Sequence, residues 1–492
     1  MSCAESVALA LFGRHCSSFR MPLIKHSSRV SLAFRGRSNM ERLPNELLSI
    51  IYVSAIENFH DASDLTISPT TISHVCRRWR QVALSTGTLW STIVLTFPSS
   101  ADQLARTVTW LARSKTYPLD ILLDFRDPAW DWEENSHGFC WKDMETVLHI
   151  LMPHVARWRS FELLTDTWAP IFTFLWHTRS TESAPCWRRS GEVFQPASLR
   201  HHLPLLGGGS LENLREVILT GVHVDWSSCA LANLMKLELK YHASNVMPTL
   251  DQFVKILESC PDLQDLSIIG WGPQFDPALG AGASTSAQAV LSPDLSAMQG
   301  AIKLPRVSHL AFGFVDVYYA VKLLSLFYLP SLEELSLEDV SASLHLPNPD
   351  DATFLLNWLV AIQSPAEPQS DESSSSTFIP LSQIQTLELK GLQARLSTFG
   401  HFFGQCTTLR TLSISDANDD ALRALDSPNA APDPAGSDVA PALPCPHLQK
   451  ISGRSVDAVL FARVVAERPQ LSQVAFEEAA ELIYNQNDSD ET

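Results

Sequence analysis

Residues 330–339 read PSLEELSLED. Leu332, Leu335 and Leu337 stand at the spacing L-x-x-L-x-L, and the last two alternate with Ser336 and Glu338. Successive side chains of an extended chain point to opposite faces, so this alternation describes a short strand with one buried side. Pro330, two positions before the first leucine, marks a helix stop, because proline cannot continue a helix. Residues 321–327 immediately upstream are helix-like. The same grammar recurs as Leu214/Val217/Leu219, Leu234/Leu237/Leu239, Leu263/Leu266/Ile268 and Val307/Leu310/Phe312. After residue 339 it returns as Ile384/Leu387/Leu389, Leu409/Leu412/Ile414 and Leu471/Val474/Phe476, with a partial copy at Leu448/Ile451. Pro261, Pro305, Pro446 and Pro469 repeat the offset of Pro330, and Cys260, Cys406 and Cys445 sit three positions before the pattern. Helix-like stretches also fall at 250–258 and 456–467.

Start-to-start spacings are 20, 29, 44, 25, 52, 25, 39 and 23 residues. Five of them fall in the range of about 20–29 typical of leucine-rich repeats. The three long ones contain stretches poor in core-forming residues: Ala/Gly/Ser-rich at 276–302, Pro/Ser/acid-rich at 364–377 and Pro/Ala/Asp-rich at 425–444. Such compositions predict flexible insertions. No single repeat can bury its apolar face, so neighbours must stack. The expected fold over 214–480 is therefore α/β: an irregular leucine-rich-repeat solenoid with parallel strands on the concave side and helices outside. The asparagine of regular repeats is mostly missing, which predicts irregular turns. The cysteines of the pattern read as small buried hydrophobes.

Residues 40–97 have a different period. Pro44 suits the first turn of a helix and Glu46 complements its dipole. Leu43, Leu47, Ile50, Ile51 and Ala55 then give an apolar stripe. A second helix is predicted from Ser68-Pro69, with Ile72, Val75, Cys76, Trp79 and Ala83 on one face and Arg77, Arg78 and Arg80 off it. Gly87 ends it before Leu89-Trp90. A helical unit this small buries little surface and needs a neighbour or a partner.

The segments LPNELLSII (43–51), VCRRWRQVA (75–83) and TLWSTI (88–93), in that order, resemble an F-box. The link ENFHDASDLTISPTT (57–71) is longer than in a compact F-box, a lengthening familiar in the large fungal group of F-box-like proteins that this chain resembles most. The run WLARSKTYPLDI (110–121) resembles the same group, where it follows the box directly. The resemblance implies docking onto a Skp-family adaptor of a cullin ubiquitin ligase, with Leu43, Pro44, Leu47, Ile51, Trp79, Leu89 and Trp90 as the partner-binding positions. Some of these, Trp79 foremost, must instead build the core of the module. In the competing reading the module is an ordinary helical cap on the repeats.

Residues 98–213 read as a connecting region with the first irregular repeat elements: a helix over 107–113, a strand over 119–125, a helix over 141–152, and an apolar trio Trp158, Phe161, Leu163. Residues 177–210 read as a loop. Trp130, Trp132 and Trp141 flank Asp131, Glu133 and Glu134 and suit either a recognition loop or hydrophobic lids on a small core.

The 492 residues are 45% apolar with a net charge of −18, so large cores are possible and phosphate backbones are repelled. Nine scattered cysteines without a C-x-x-C pair argue against a zinc site and a disulfide framework. No apolar run approaches ~20 residues, so no transmembrane helix is expected. Residues 1–39 carry six basic side chains against Glu5 alone. They read as a disordered basic leader, or as sequence upstream of a true start at Met40, with a mitochondrial presequence as the alternative. Residues 481–492 form an acidic tail. P-loop, dinucleotide, zincin and nucleophile-elbow motifs are missing. His137 and His201-His202 lack partners at metal spacing, and Asp419-Asp420 lacks a placed partner. The expected function is a non-enzymatic substrate-recognition subunit of a Skp–cullin–F-box ligase, without cofactor, nucleic acid or membrane, cytoplasmic or nuclear, binding an unidentified protein client through its repeats. The alternative is a leucine-rich-repeat interaction scaffold with no ligase link.

Overall fold

The structure, a computed structural model, describes residues 42–57, 61–131, 136–180, 189–190, 203–208, 211–228, 231–275, 299–341, 351–363, 378–426 and 443–477. The expectations for residues 1–39, the acidic tail, His201-His202 and Trp132 lie outside them. The architecture is mixed α/β, and the chain divides into two compact units, Met1–Ala197 and Ser198–Thr492.

In the first unit, helix α1 (Asn45–Glu57) begins directly after Pro44, whose carbonyl accepts from Leu48 N at 3.1 Å. It buries Leu48, Tyr52 and Ile56, one residue per turn. The stripe selected from sequence is therefore not the buried one: Leu47 and Ile50 face outward, and Ile51 is half-buried. Helix α2 (Ala62–His74) starts earlier than Ser68-Pro69. Asp61 caps it, accepting from Ser63 N at 2.6 Å, and Pro69 lies inside it. This side-chain cap satisfies an otherwise orphaned helix N–H, which is what sets a helix start. The second predicted helix is in fact split. Cys76 is extended and its Sγ accepts from Trp79 N at 3.5 Å, opening helix α3 (Arg77–Ser85). The break swings Trp79 against Tyr52, with ring centroids 5.0 Å apart.

A 3₁₀ turn, Gly87–Trp90, leads into a four-stranded parallel sheet of β1 (Thr92–Thr96), β2 (Leu119–Asp124), β3 (Trp158–Leu164) and β4 (Arg189–Ser190). Strand β4 falls inside the segment expected to be loop. Helices α4 (Ala101–Arg113), α5 (Trp141–Leu151) and α6 (Trp168–Thr178) lie between the strands in the chain. Parallel pairing demands such crossovers. The register aligns Ile93, Ile121 and Phe161 in one row and Leu95, Leu123 and Leu163 in the next, all buried. Trp90 joins helix to sheet: its Nε1 donates to Ala83 O at 2.8 Å and its ring meets Trp110 edge-on at 5.4 Å. The helical module and the connecting region thus share one core.

In the second unit, nine parallel strands follow chain order: β5 (Glu216–Thr220), β6 (Lys236–His242), β7 (Asp265–Gly270), β9 (His309–Phe314), β11 (Glu334–Asp339), β12 (Thr386–Lys390), β13 (Thr411–Ser415), β14 (Lys450–Arg454) and β15 (Gln473–Glu477). A small parallel pair, β8 (Ile302–Lys303) and β10 (Phe327–Tyr328), stands apart from them. Each strand carries one copy of the spaced apolar pattern. The second positions form one row, from Val217 through Leu335 to Val474, and the third positions another, from Leu219 through Leu337 to Phe476. Each fully buried aliphatic in such a row contributes about 1.5–3 kcal/mol. Strand β15 is the last described, and its Val474 and Phe476 stay partly exposed.

Helices α7 (Leu250–Glu258), α8 (Val317–Ser325), α9 (Thr353–Ala361), α10 (Leu396–Gln405), α11 (Asp419–Asp426) and α12 (Ala458–Ala466) occupy the crossovers, and α8 to α12 pack each on the next. Cys260, Cys406 and Cys445 are buried, and Cys76 and Cys140 are exposed at helix starts. Ile302, at the edge of one predicted insertion, belongs to β8, and Leu425, at the edge of another, is buried in the last turn of α11; the rest of those insertions lies outside the described residues. Buried Arg468 donates to Leu425 O at 2.7 Å and Pro444 O at 3.2 Å, tying together the two ends of the stretch between them.

The partial copy has a steric explanation. Its third position is Gly453, and a Cβ there would lie 2.7 Å from the ring of buried Phe461. Phe461 fills the space that an apolar side chain occupies on the other strands. Gly453→Ala is therefore expected to destabilise the second unit by about 1–3 kcal/mol through overpacking. That outweighs the ~0.4–1 kcal/mol gained by stiffening the unfolded chain. A urea unfolding midpoint measures it.

Candidate functional site

Two surfaces gather the residues of interest, one in each unit. The first is the outer side of α1. Arg78 on α3 donates from Nε to Asn45 Oδ1 at 3.0 Å and from its guanidinium to the Leu43 carbonyl, so the start of α1 is anchored to the next helices. Held this way, α1 leaves Leu47 45% and Ile50 59% exposed, with Pro44 exposed and Leu43 and Ile51 half-buried. Trp79, Leu89 and Trp90, the other three positions chosen from sequence, are core residues, with Trp90 fully buried. They shape the module from within and offer no surface. Ile50, absent from the docking positions that the resemblance implies, is the most exposed residue of the stripe. The signal was present in its spacing of three from Leu47. Ile67 on α2 is also exposed, at 60%, and lies in the link rather than in any motif.

The second surface is the face of the nine-stranded sheet opposite the two apolar rows. Its side chains come from the variable positions of each repeat. On β6, Glu238 accepts from Lys236 and from Lys240, both at 2.6 Å. Burial pushes its carboxyl up, yet the two ammonium groups prevail and hold it below the ordinary carboxylate value. On β9, His309 lies 3.0 Å from Asp265 and 3.3 Å from Glu334, bridging β7 and β11. On β12, Glu388 accepts from Ser336 at 3.0 Å and pairs with Lys390 at 3.1 Å. Small residues, Ser267, Ala311 and Ser336, occupy the middle row between these groups. Glu338 on β11 is half-buried, and burial raises its carboxyl above the ordinary value. None of these residues is among the binding positions drawn from sequence. Their only signature is position: each stands between or beside the apolar pair of its repeat.

No family model matches the chain, and no curated protein is significantly similar to it.

The remaining candidates resolve individually. His137 is buried, edge-on to Trp130 at 5.5 Å and 3.4 Å from Asp166. Trp141 is half-exposed beside Lys142. Asp419 and Asp420 both pair with Arg423 in their own helix. A cleft of about 290 Å³ on the first unit is lined by Phe97, Pro98, Leu104, Phe139 and Asp143, and the Asp143 carboxylate is engaged by Cys140 N at 2.9 Å. Among the described residues no group of three or more His, Cys, Asp or Glu could hold a metal ion, and no helix is long and apolar enough to cross a membrane.

Proposed function

We propose that this chain is a non-enzymatic receptor subunit of F-box type, acting in the cytoplasm or nucleus. Helix α1 docks a Skp-family adaptor of a cullin ubiquitin ligase, and the face of the second unit's sheet opposite its apolar rows holds a protein client within a leucine-rich-repeat framework. The observation that supports this reading most is the exposure of Leu47 and Ile50 on a helix whose opposite side is locked into a core. The backbone of α1 is already fixed, so covering these aliphatics costs only side-chain freedom, about 0.5–1 kcal/mol each. Leu43, Pro44 and Ile51 border them and complete the docking side.

The test is retention of a purified Skp-family adaptor by the full chain. Wild type retains it, and Leu47→Asp weakens binding at least about a hundredfold, because a carboxylate replaces an anchor that the partner would desolvate. The thermal melt of the variant should match wild type within ~0.5 kcal/mol, as Leu47 lies outside the core. If wild type retains no adaptor, the ligase reading is withdrawn and the chain stands as a repeat scaffold with a helical cap.

A further inference from the structure

One turn recurs before the strands of the second unit. The first apolar residue of the pattern donates its N–H to the carbonyl three residues earlier: Leu263 to Cys260, Ile384 to Leu381, Leu409 to Cys406, Leu448 to Cys445 and Leu471 to Arg468, at 3.1–3.4 Å. The residues at this place are buried and stack into a column, one per repeat. Neighbours in the column touch, since the Cys260 thiol lies 3.9 Å from the carbonyl of Leu231, its predecessor.

Cys406 and Cys445 are consecutive members of that column. The pairing of β13 with β14 sets Thr411 on Lys450 and Ser415 on Arg454, the same step in sequence that separates the two cysteines. Neighbouring strands lie about 4.8 Å apart. A disulfide joins residues whose Cα atoms are about 4.4–6.8 Å apart, so the stacking distance suits one. The side chains also converge. The Cys406 thiol donates to Phe402 O at 3.4 Å, and the Cys445 thiol reaches into the preceding repeat to Phe403 O at 3.5 Å. Both sulfurs thus rest on carbonyls of consecutive residues in the last turn of α10. Arg468, next in the column, donates to Pro444 O at 3.2 Å and holds the residue before Cys445.

We propose that Cys406 and Cys445 are a redox staple, joining as a disulfide inside the folded second unit when the surroundings turn oxidising. The oxidant is a low-molecular-weight disulfide such as glutathione disulfide. The Cys445 thiolate attacks one of its sulfurs and releases one glutathione thiolate. The Cys406 thiolate then attacks the Cys445 sulfur of the mixed disulfide and releases the second. Two thiols lose two protons and two electrons, and one glutathione disulfide becomes two thiols. Burial holds both thiols above the ordinary thiol value, and the neighbouring Cys445 raises Cys406 further, so the pair is protonated and protected while the fold is closed. Exchange proceeds when the repeat opens locally. Closing the loop between the two cysteines restricts the unfolded chain and so strengthens the second unit.

The test unfolds the full chain in urea and refolds it by dilution into glutathione buffers stepped from reducing to oxidising. Free thiols are then alkylated, and the digested chain is read by mass spectrometry. The expected product is a peptide pair cross-linked through Cys406 and Cys445, growing as the buffer becomes more oxidising. Cys260 is the internal control: it shares the column but lies between Leu231 and Leu304, and it should be alkylated as a thiol throughout. Oxidation should raise the urea midpoint of the second unit by about 1 M. Cys406→Ala and Cys445→Ala should each unfold at a midpoint that does not respond to the buffer. Should either variant fail to fold, the comparison of oxidised with reduced wild type decides alone. Cysteines 406 and 445 that remain thiols in the most oxidising buffer, or that pair with other cysteines instead, overturn the proposal. So does a cross-link that lowers the midpoint, because the repeats would then have to distort to make it.

Discussion

Trp90→Ala is expected to lower the stability of the first unit by about 4 kcal/mol. Trp90 is fully buried, its Nε1 bonds the Ala83 carbonyl at the end of α3, Trp110 packs on it edge-on, and the Arg113 guanidinium lies 4.5 Å from its ring centroid. Removing the indole leaves a cavity between the helices and the sheet and takes from the Ala83 carbonyl one of its two donors, the other being Thr86 N at 3.2 Å. Each of those losses has the same sign. Chemical denaturation followed by intrinsic fluorescence measures the change, and a loss under ~1 kcal/mol would show that the helices are not held through this residue. The result also separates two meanings of a sequence motif. Trp90→Ala should abolish adaptor retention by unfolding the platform, whereas Leu47→Asp should abolish it with the melt unchanged.

Acid should destabilise the second unit through His242. This ring is fully buried at the end of β6, where Nε2–H donates to Leu219 O at 2.9 Å and Nδ1 has no hydrogen-bond partner among the described residues. Burial, reinforced by nearby His223, holds its pKa down at about 4, against 6.5 for an exposed histidine. Above pH 6.5 both the folded and the unfolded chain carry the ring neutral, and it adds no pH dependence. As pH falls from 6.5 towards 4, the unfolded chain takes up a proton that the folded chain refuses, so stability falls. At about 1.4 kcal/mol per pH unit, the loss across the window approaches ~3 kcal/mol. His242→Gln keeps a donor for Leu219 and cannot titrate, so its stability should be nearly independent of this group. The measurement is the difference between the two proteins' stabilities as a function of pH. A difference that does not change between pH 7 and 4 would remove His242 as the cause.

The strand positions were legible because strand alternation is local. Leu335, Ser336 and Leu337 state their own period, and Pro330 marks the end of the preceding helix whatever lies elsewhere. Helix boundaries near the amino end were less legible. The cap at Asp61 and the break at Cys76 both depend on one side chain turning back onto the backbone, and the apolar spacing runs through the break without a mark. Exposure was not legible at all. Leu47, Leu48, Ile50 and Ile51 are interchangeable as hydrophobes in sequence, and α1 buries Leu48 because Tyr52 and Ile56 share its side.

The sequence by itself determined that this chain would be mixed α/β, where its short strands would lie, and that long insertions would separate some of them. Those properties follow from backbone periods of two and 3.6 residues and from residues that cannot continue a helix. Only the tertiary structure decided that Trp79, Leu89 and Trp90 support a surface rather than form one. It alone set Gly313 beside Glu338 and placed Lys240 and Lys390, which pair with Glu238 and Glu388, in the same row. These are relations between residues far apart in the chain, created when strands align in register, and no local period encodes them.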